Sequence, residues 1–206
     1  MFCKKYPFWK LTDNWYDYNT SINDPRKGIK NFFIKYNFTW YDEIPVGWRK
    51  AFGKQLSKDI KRAGSSYLKN HRGKTWEDII SWSQIKEKWG ELRFYASAIE
   101  ELGNILDRYE LLSTGYCIDC GKPARYRTRG WVEFYCKDCC LKDYHRWDKS
   151  ITEQQDMEYL CECRLTKKDI PTLTKYEGNA KINVDLLGEY GIDYIKLWGL
   201  DKEEKQ

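Results

Sequence analysis

Residues 117–139 read CIDC-GKPARYRTRGWVEFY-CKDC, two Cys-x-x-Cys pairs with fifteen residues between them. Each pair can offer two thiolates to one ion while the intervening chain turns back. The spacing therefore predicts one tetrahedral Zn2+ site made of Cys117, Cys120, Cys136 and Cys139. Four thiolates fill the coordination sphere and leave no place for a water molecule, so the expected ion is structural. The residues that follow, CLKDYHRWDK, suit a helix with Leu141, Tyr144 and Trp147 turned inward. A knuckle, a hairpin and a helix carrying the last two ligands follow the order of a treble clef. A zinc ribbon, with its second knuckle on another hairpin, is the alternative. Cys140, His145, Cys161 and Cys163 do not read as a second site, because positions 140 and 145 are five apart on a helix and do not share a face.

Upstream of the cysteines the hydrophobic period changes twice. Asp24-Pro25 supplies a cap and a first-turn proline, and Ile29, Phe32, Phe33 and Tyr36 follow at helical spacing, which predicts a short helix over 25–36. From Asp42-Glu43-Ile44-Pro45 a second helix is expected. Trp48, Phe52, Leu56 and Ile60 form its apolar stripe, lysines and arginines cover the rest, and Gly64 is its stop. Residues 64–75 then read as a loop. Ile80, Trp82 and Gln84 alternate with Ile79, Ser81, Ser83 and Ile85, and Leu92, Phe94 and Ala96 alternate with Arg93, Tyr95 and Ser97. Residues 78–97 therefore read as a β-hairpin turning at Lys86–Gly90. A helix over 98–113 carries Leu102, Leu106 and Tyr109 on one face. Residues 151–182 read as polar and irregular with Pro171 as a breaker, and Ile192 to Trp198 as a terminal strand.

The expected fold class is therefore α+β, a small mixed domain with a central β-hairpin, flanking helices and a treble-clef-like or ribbon-like zinc module. Four segments are expected: an aromatic N-terminal arm at 1–24, an α+β core with the basic helix and hairpin at 25–115, the four-cysteine zinc module at 116–150, and a polar extension ending in a strand at 151–206. Aromatic residues make up 17% of the 206 positions, with ten Trp and sixteen Tyr. So many rings argue against a disordered chain and can fill a small core with few side chains.

The net charge is +5, but it is unevenly spread: 16 Lys/Arg face 6 Asp/Glu up to residue 75, and 20 face 25 beyond it. A basic first half can steer phosphate-bearing partners, although a solvated lysine surface has the same composition. Met1 to Lys10 has positive charge with no apolar run behind it, so neither an export signal nor a membrane span is expected. Eight cysteines without an export signal read as metal ligands and reduced thiols, in a cytoplasmic setting.

Candidate ligand-binding residues lie at the hairpin turn. Lys86, Lys88 and Arg93 are cationic donors and Trp89 offers a flat ring, a combination that suits an anionic, ring-bearing ligand such as a nucleotide or nucleic acid. Lys54 and Lys58 on the basic helix extend the set. The competing and more ordinary reading packs Trp89 onto the core and pairs Glu87 and Glu91 with the lysines. Catalysis is not called for. The chain has two histidines, no HExxH, no G-x-S-x-G and no phosphate-cradling glycine loop.

Several stretches resemble a family of phage and prophage proteins: Gly47-Trp48-Arg49, Ala51-Phe52-Gly53, QIKEKWGELRFY at 84–95, YELLSTGYCIDCGKPA at 109–124 and RGWVEFYCKDC at 129–139. The resemblance covers about residues 43–140, with Trp89 where the family pattern has Phe. It implies a small accessory protein of a bacterial virus working in the host cytoplasm, and carries no activity with it. The resulting expectation is a non-enzymatic, zinc-stabilised protein that binds an anionic host target, nucleic acid or a nucleotide signal, to blunt host defence. The alternative is a protein-interaction module that inhibits a host enzyme or defence protein.

Overall fold

The computed structural model describes residues 2–11, 38–146, 149–172 and 184–202. The helix expected over 25–36, most of the aromatic arm and Trp147 lie outside them.

The basic helix begins where expected but is built from three pieces: α2 (Val46–Trp48), a π-helical turn over Arg49–Gly53, and α3 (Lys54–Asn70). Trp48, Phe52, Leu56 and Ile60 are all buried. Their strict spacing of four would drift around a pure 3.6-residue helix, and the wider π turn takes up part of that drift. Gly64 does not stop the helix. A Cβ there would lie 2.2 Å from the Trp76 ring, so it is a contact glycine inside α3. The helix runs on to Asn70, and the loop expected over 64–75 shrinks to the residues between α3 and α4 (Trp76–Ile79).

β1 (Ile80–Lys88) and β2 (Glu91–Ala98) pair antiparallel. Their register shifts between Trp82 and Gln84, which makes Ser83 a bulge. The bulge resets the alternation, so Ile80, Trp82 and then Ile85 are buried while Gln84, expected to share their face, is exposed. The turn is only Trp89-Gly90, with φ of 56° and 79°, the two-residue type that matches strand twist. Lys86 to Lys88 belong to the strand.

α5 (Glu100–Ser113) covers the outer edge of β2. Glu110 Oε1 accepts from the Phe94 N–H at 2.5 Å, and Ser113 Oγ from the Leu92 N–H at 2.9 Å. Two backbone donors of an otherwise open edge are thereby satisfied. Of the N-terminal arm, residues 2–11 are described. They form α1 (Phe2–Lys5) and a 3-10 turn at Pro7–Trp9. They pack through their rings: Trp9 stacks on Trp82 at 4.8 Å and donates to Ser57 Oγ at 2.9 Å. Trp9, Trp40, Trp48, Leu56, Leu92 and Tyr109 anchor this first core.

A second core gathers around Cys117, Phe134, Cys140, Leu160, Tyr194 and Trp198. It joins the short pair β3 (Tyr126–Arg127) and β4 (Phe134–Tyr135) to α6 (Lys137–Tyr144) and α7 (Glu153–Cys163), with α8 (Val184–Glu189) and α9 (Tyr194–Trp198) completing the chain. Two sequence expectations fail here. The stretch expected to be irregular contains α7, started by Thr152, whose Oγ1 accepts from the Gln155 N–H at 3.3 Å while Gln155 Oε1 accepts from the Thr152 N–H at 2.8 Å. Pro171 lies in a 3-10 segment, Lys167–Thr172, after it. The terminal strand is a helix: Asp193 caps α9 by accepting from the Lys196 N–H, and Gly199 ends it at φ 68°. Tyr194 and Trp198, four apart, are its two buried residues. The whole is a mixed α/β structure with two small antiparallel hairpins. No described helix is long and apolar enough to cross a membrane.

Candidate metal centre and ligand surface

The first knuckle is closed by backbone bonds, Cys117 N–H to Lys122 O at 2.8 Å and Gly121 N–H to Cys117 O at 2.9 Å, with Gly121 at φ 80°. After β3 and β4 the chain reaches Cys136, the N-cap of α6, and Cys139 follows in its first turn. The Sγ atoms of Cys117, Cys120, Cys136 and Cys139 all lie within 4.8 Å of one another, and those of Cys120 and Cys136 are 3.5 Å apart. A tetrahedron of ~2.3 Å Zn–S bonds places its sulfurs roughly 3.8 Å apart, so the four cysteines are close enough to hold one ion. Burial pushes the Cys117 thiol up to about 11 and raises Cys139 as well. Without a metal these thiols therefore keep their protons, and metal binding must release them.

Two glycines bring this knuckle against the first core at backbone distance. The Gly47 N–H donates to Ile118 O at 2.8 Å, and a Cβ on Gly47 would lie 2.2 Å from Cys117 O. A Cβ on Gly121 would lie 2.6 Å from Gly47 O. The neighbouring Trp48 donates its indole N–H to Tyr116 O at 3.0 Å. Gly47-Trp48 and Cys120-Gly121, read from sequence as separate motifs, are thus two sides of one backbone contact. No property of either stretch alone shows this.

Cys140 and Cys163 form a separate buried pair. The Cys140 thiol donates to Cys163, as does the Tyr159 hydroxyl; these bonds lower Cys163 and hold Cys140 up. Cys161 is exposed, and His145 Nε2 meets Asp156 Oδ1 at 2.6 Å, so the four residues do not assemble into a ligand set. His71 stacks on Tyr67 at 3.8 Å at the exposed end of α3.

At the hairpin turn Trp89 is 44% exposed, and its ring meets that of Trp131, itself 68% exposed, at 6.1 Å and 29°. Trp131 sits on the β3–β4 loop, so the tips of the two hairpins face each other. Gly90 makes the approach possible, since a Cβ there would lie 2.7 Å from the Phe134 ring. Lys86 Nζ lies 5.2 Å above the half-exposed Tyr95 ring on the same hairpin. Lys88 is half-buried, and Lys54 and Lys58 are on the exposed side of α3.

Arg93 is committed to the fold. It is 18% exposed and held between Glu91 and Glu110, the latter at 3.2 Å. Burial pushes the Glu91 carboxyl up to about 7 and also raises Glu110 and Asp107. Trp131 is the residue that sequence reasoning missed. Its signals were its place in the turn between the two cysteine pairs and its presence in the RGWVEFYCKDC stretch of the family resemblance.

Comparisons with protein-family models, curated proteins and solved structures find no match.

Proposed function

We propose that this is a non-enzymatic binding protein, stabilised by one structural zinc in a treble-clef-like module, whose hairpin tips hold single-stranded nucleic acid or a nucleotide. The observation that carries this reading is Trp89. A bulky side chain at positive φ is a genuine backbone outlier, costing roughly 1–2 kcal/mol against a residue suited to that region. Such strain clusters at functional sites. Here it holds an indole half in solvent beside a second exposed indole.

Every base has a π-face, and stacking on such rings is worth about 1–3 kcal/mol per base. Lys86 above Tyr95 and Lys88 at the turn supply positive charge on the same hairpin. The zinc contributes by holding the Trp131 loop in place, not by touching the ligand. The setting proposed with it, an accessory protein of a bacterial virus acting in the host cytoplasm, is the one that the resemblance of residues 43–140 implies.

Fluorescence anisotropy of a labelled oligothymidylate, read across a salt series, tests the proposal. The expected result is saturable binding whose affinity falls steeply as salt rises. Absence of binding to both oligonucleotides and mononucleotides, together with retention of a single host protein on the immobilised chain, would replace it with the inhibitor reading.

A further inference from the structure

The Trp131 loop also borders a cavity. Residues Arg127, Thr128, Arg129 and Gly130 line its volume of about 320 Å³, which is closed by Glu162 and Arg164 at the end of α7. It lies within the size range of small-ligand sites. The backbone builds this wall: Tyr126 bridges to Arg164, and the Leu165 N–H donates to Arg125 O at 2.8 Å, so the chain after α7 runs beside β3. The loop is locked as well. Thr128 is buried, its Oγ1 donating to Trp131 O at 2.6 Å and accepting from the Glu133 N–H at 2.9 Å.

We propose that this cavity is a phosphate subsite serving the base-stacking platform, so that a nucleotide unit bound on Trp131 places its phosphate among Arg127, Arg129 and Arg164. The inference rests on the binding reading above and names its second contact. The Arg127 side chain has no hydrogen bond or ion pair among the described residues, although it is half-buried and lines the cavity. A guanidinium is the side chain best matched to two phosphate oxygens at once.

Two carboxylates share the rim with the three arginines, which leaves an excess of positive charge. Asp169 is occupied by the N–H and hydroxyl of Thr166, both at 2.7 Å. Glu162, about half exposed, meets the more exposed Arg129 at 3.0 Å. An ion pair of that kind is weak and readily exchanged for a phosphate. The loop between Thr128 and Val132 thus carries an exposed ring, and its flanking residues Arg129, Gly130 and Val132 line the cavity.

The test uses the full-length zinc-loaded chain and three probes: an oligothymidylate, an abasic oligomer of the same sugar-phosphate backbone, and a mononucleotide. For Arg127→Ala and Arg164→Ala, oligothymidylate affinity should fall about fivefold to tenfold with a salt slope reduced by about one. Trp131→Ala should weaken binding with the slope unchanged, and Arg127→Lys should recover part of the loss. Zinc content and melting temperature equal to the parent show that each variant is folded. A mononucleotide that binds as tightly as the strand and is weakened by Arg127→Ala supports the subsite for a free nucleotide. Parent binding that survives both arginine variants with affinity and slope intact overturns the subsite and leaves the platform standing. Failure of the parent to bind any probe overturns the platform and the subsite together.

Discussion

Two residues without side chains hold the metal module against the first core. Gly47 and Gly121 let the start of the basic helix meet the knuckle at backbone distance, where the Gly47 N–H reaches Ile118 O. Gly47→Ala places a methyl group against two carbonyls that cannot move without opening the knuckle. Overpacking of this kind costs typically 1–3 kcal/mol. Urea denaturation should therefore show a loss of about 2 kcal/mol or more, with weaker zinc retention in competition with a chelator.

Glu91 gives a pH-dependent counterpart. It is 3% exposed, faces Arg93 from its own strand, Lys88 across the hairpin, Glu110 from α5 and the Tyr194 phenol from α9. Its folded carboxyl titrates at about 7 against an ordinary value of 4.5, so the fold favours the protonated form. Stability linked to this group is complete below about pH 4.5 and lost as pH rises through about 7. Glu91→Gln, which stays neutral, should match the parent near pH 5 and exceed it by about 2–3 kcal/mol at about pH 8.5. An equal difference at both pH values would show that Glu91 does not titrate in this range.

At the scale of elements, the β1–β2 turn combines strain with exposure. Trp89→Asn creates the Asn-Gly pair preferred in this turn type. It should raise stability by about 1 kcal/mol in thermal or urea unfolding while weakening oligonucleotide binding, a trade expected of a site held for function. A variant that gains no stability and loses no binding would remove the argument from strain.

Elements were legible where local chemistry and tertiary packing agree. The Trp48-to-Ile60 stripe, the paired strands and the Leu102–Tyr109 face all follow from spacing, because each buries its residues against one surface. Ser83 was not legible. A bulge leaves no mark in composition, yet it moved Ile85 inward and Gln84 outward. At the chain end, apolar alternation suggested a strand, while the Asp193 cap and Gly199 stop were the stronger signals. Over such a short segment two buried rings four apart suit a helical turn as well as alternation suits a strand. The Thr152–Gln155 box was readable in the same way and was outweighed by the polar composition around it.

Over the whole molecule, two aromatic cores are joined at the metal knuckle and again where the hairpin tips meet. The four-cysteine cluster was fully legible, because a thiolate metal site needs only the right donors at the right spacing. The surface around Trp89 and Trp131 was half legible. Its first ring lies in the hairpin, and its second comes from residues more than a strand away in sequence. Neither core alone contains both indoles, so the platform depends on the module that carries Trp131. Removing the ion should therefore disperse the platform as well as the knuckle, since the module that carries Trp131 loses the ion that ties its four cysteines together.

The most direct measurement follows zinc release and oligothymidylate anisotropy together while a chelator withdraws the metal. The expected result is loss of binding in step with release of one zinc per chain, and recovery of both when zinc is returned. Binding that persists after the zinc has gone, or a chain that never carried zinc, would contradict the link between the metal module and the binding surface.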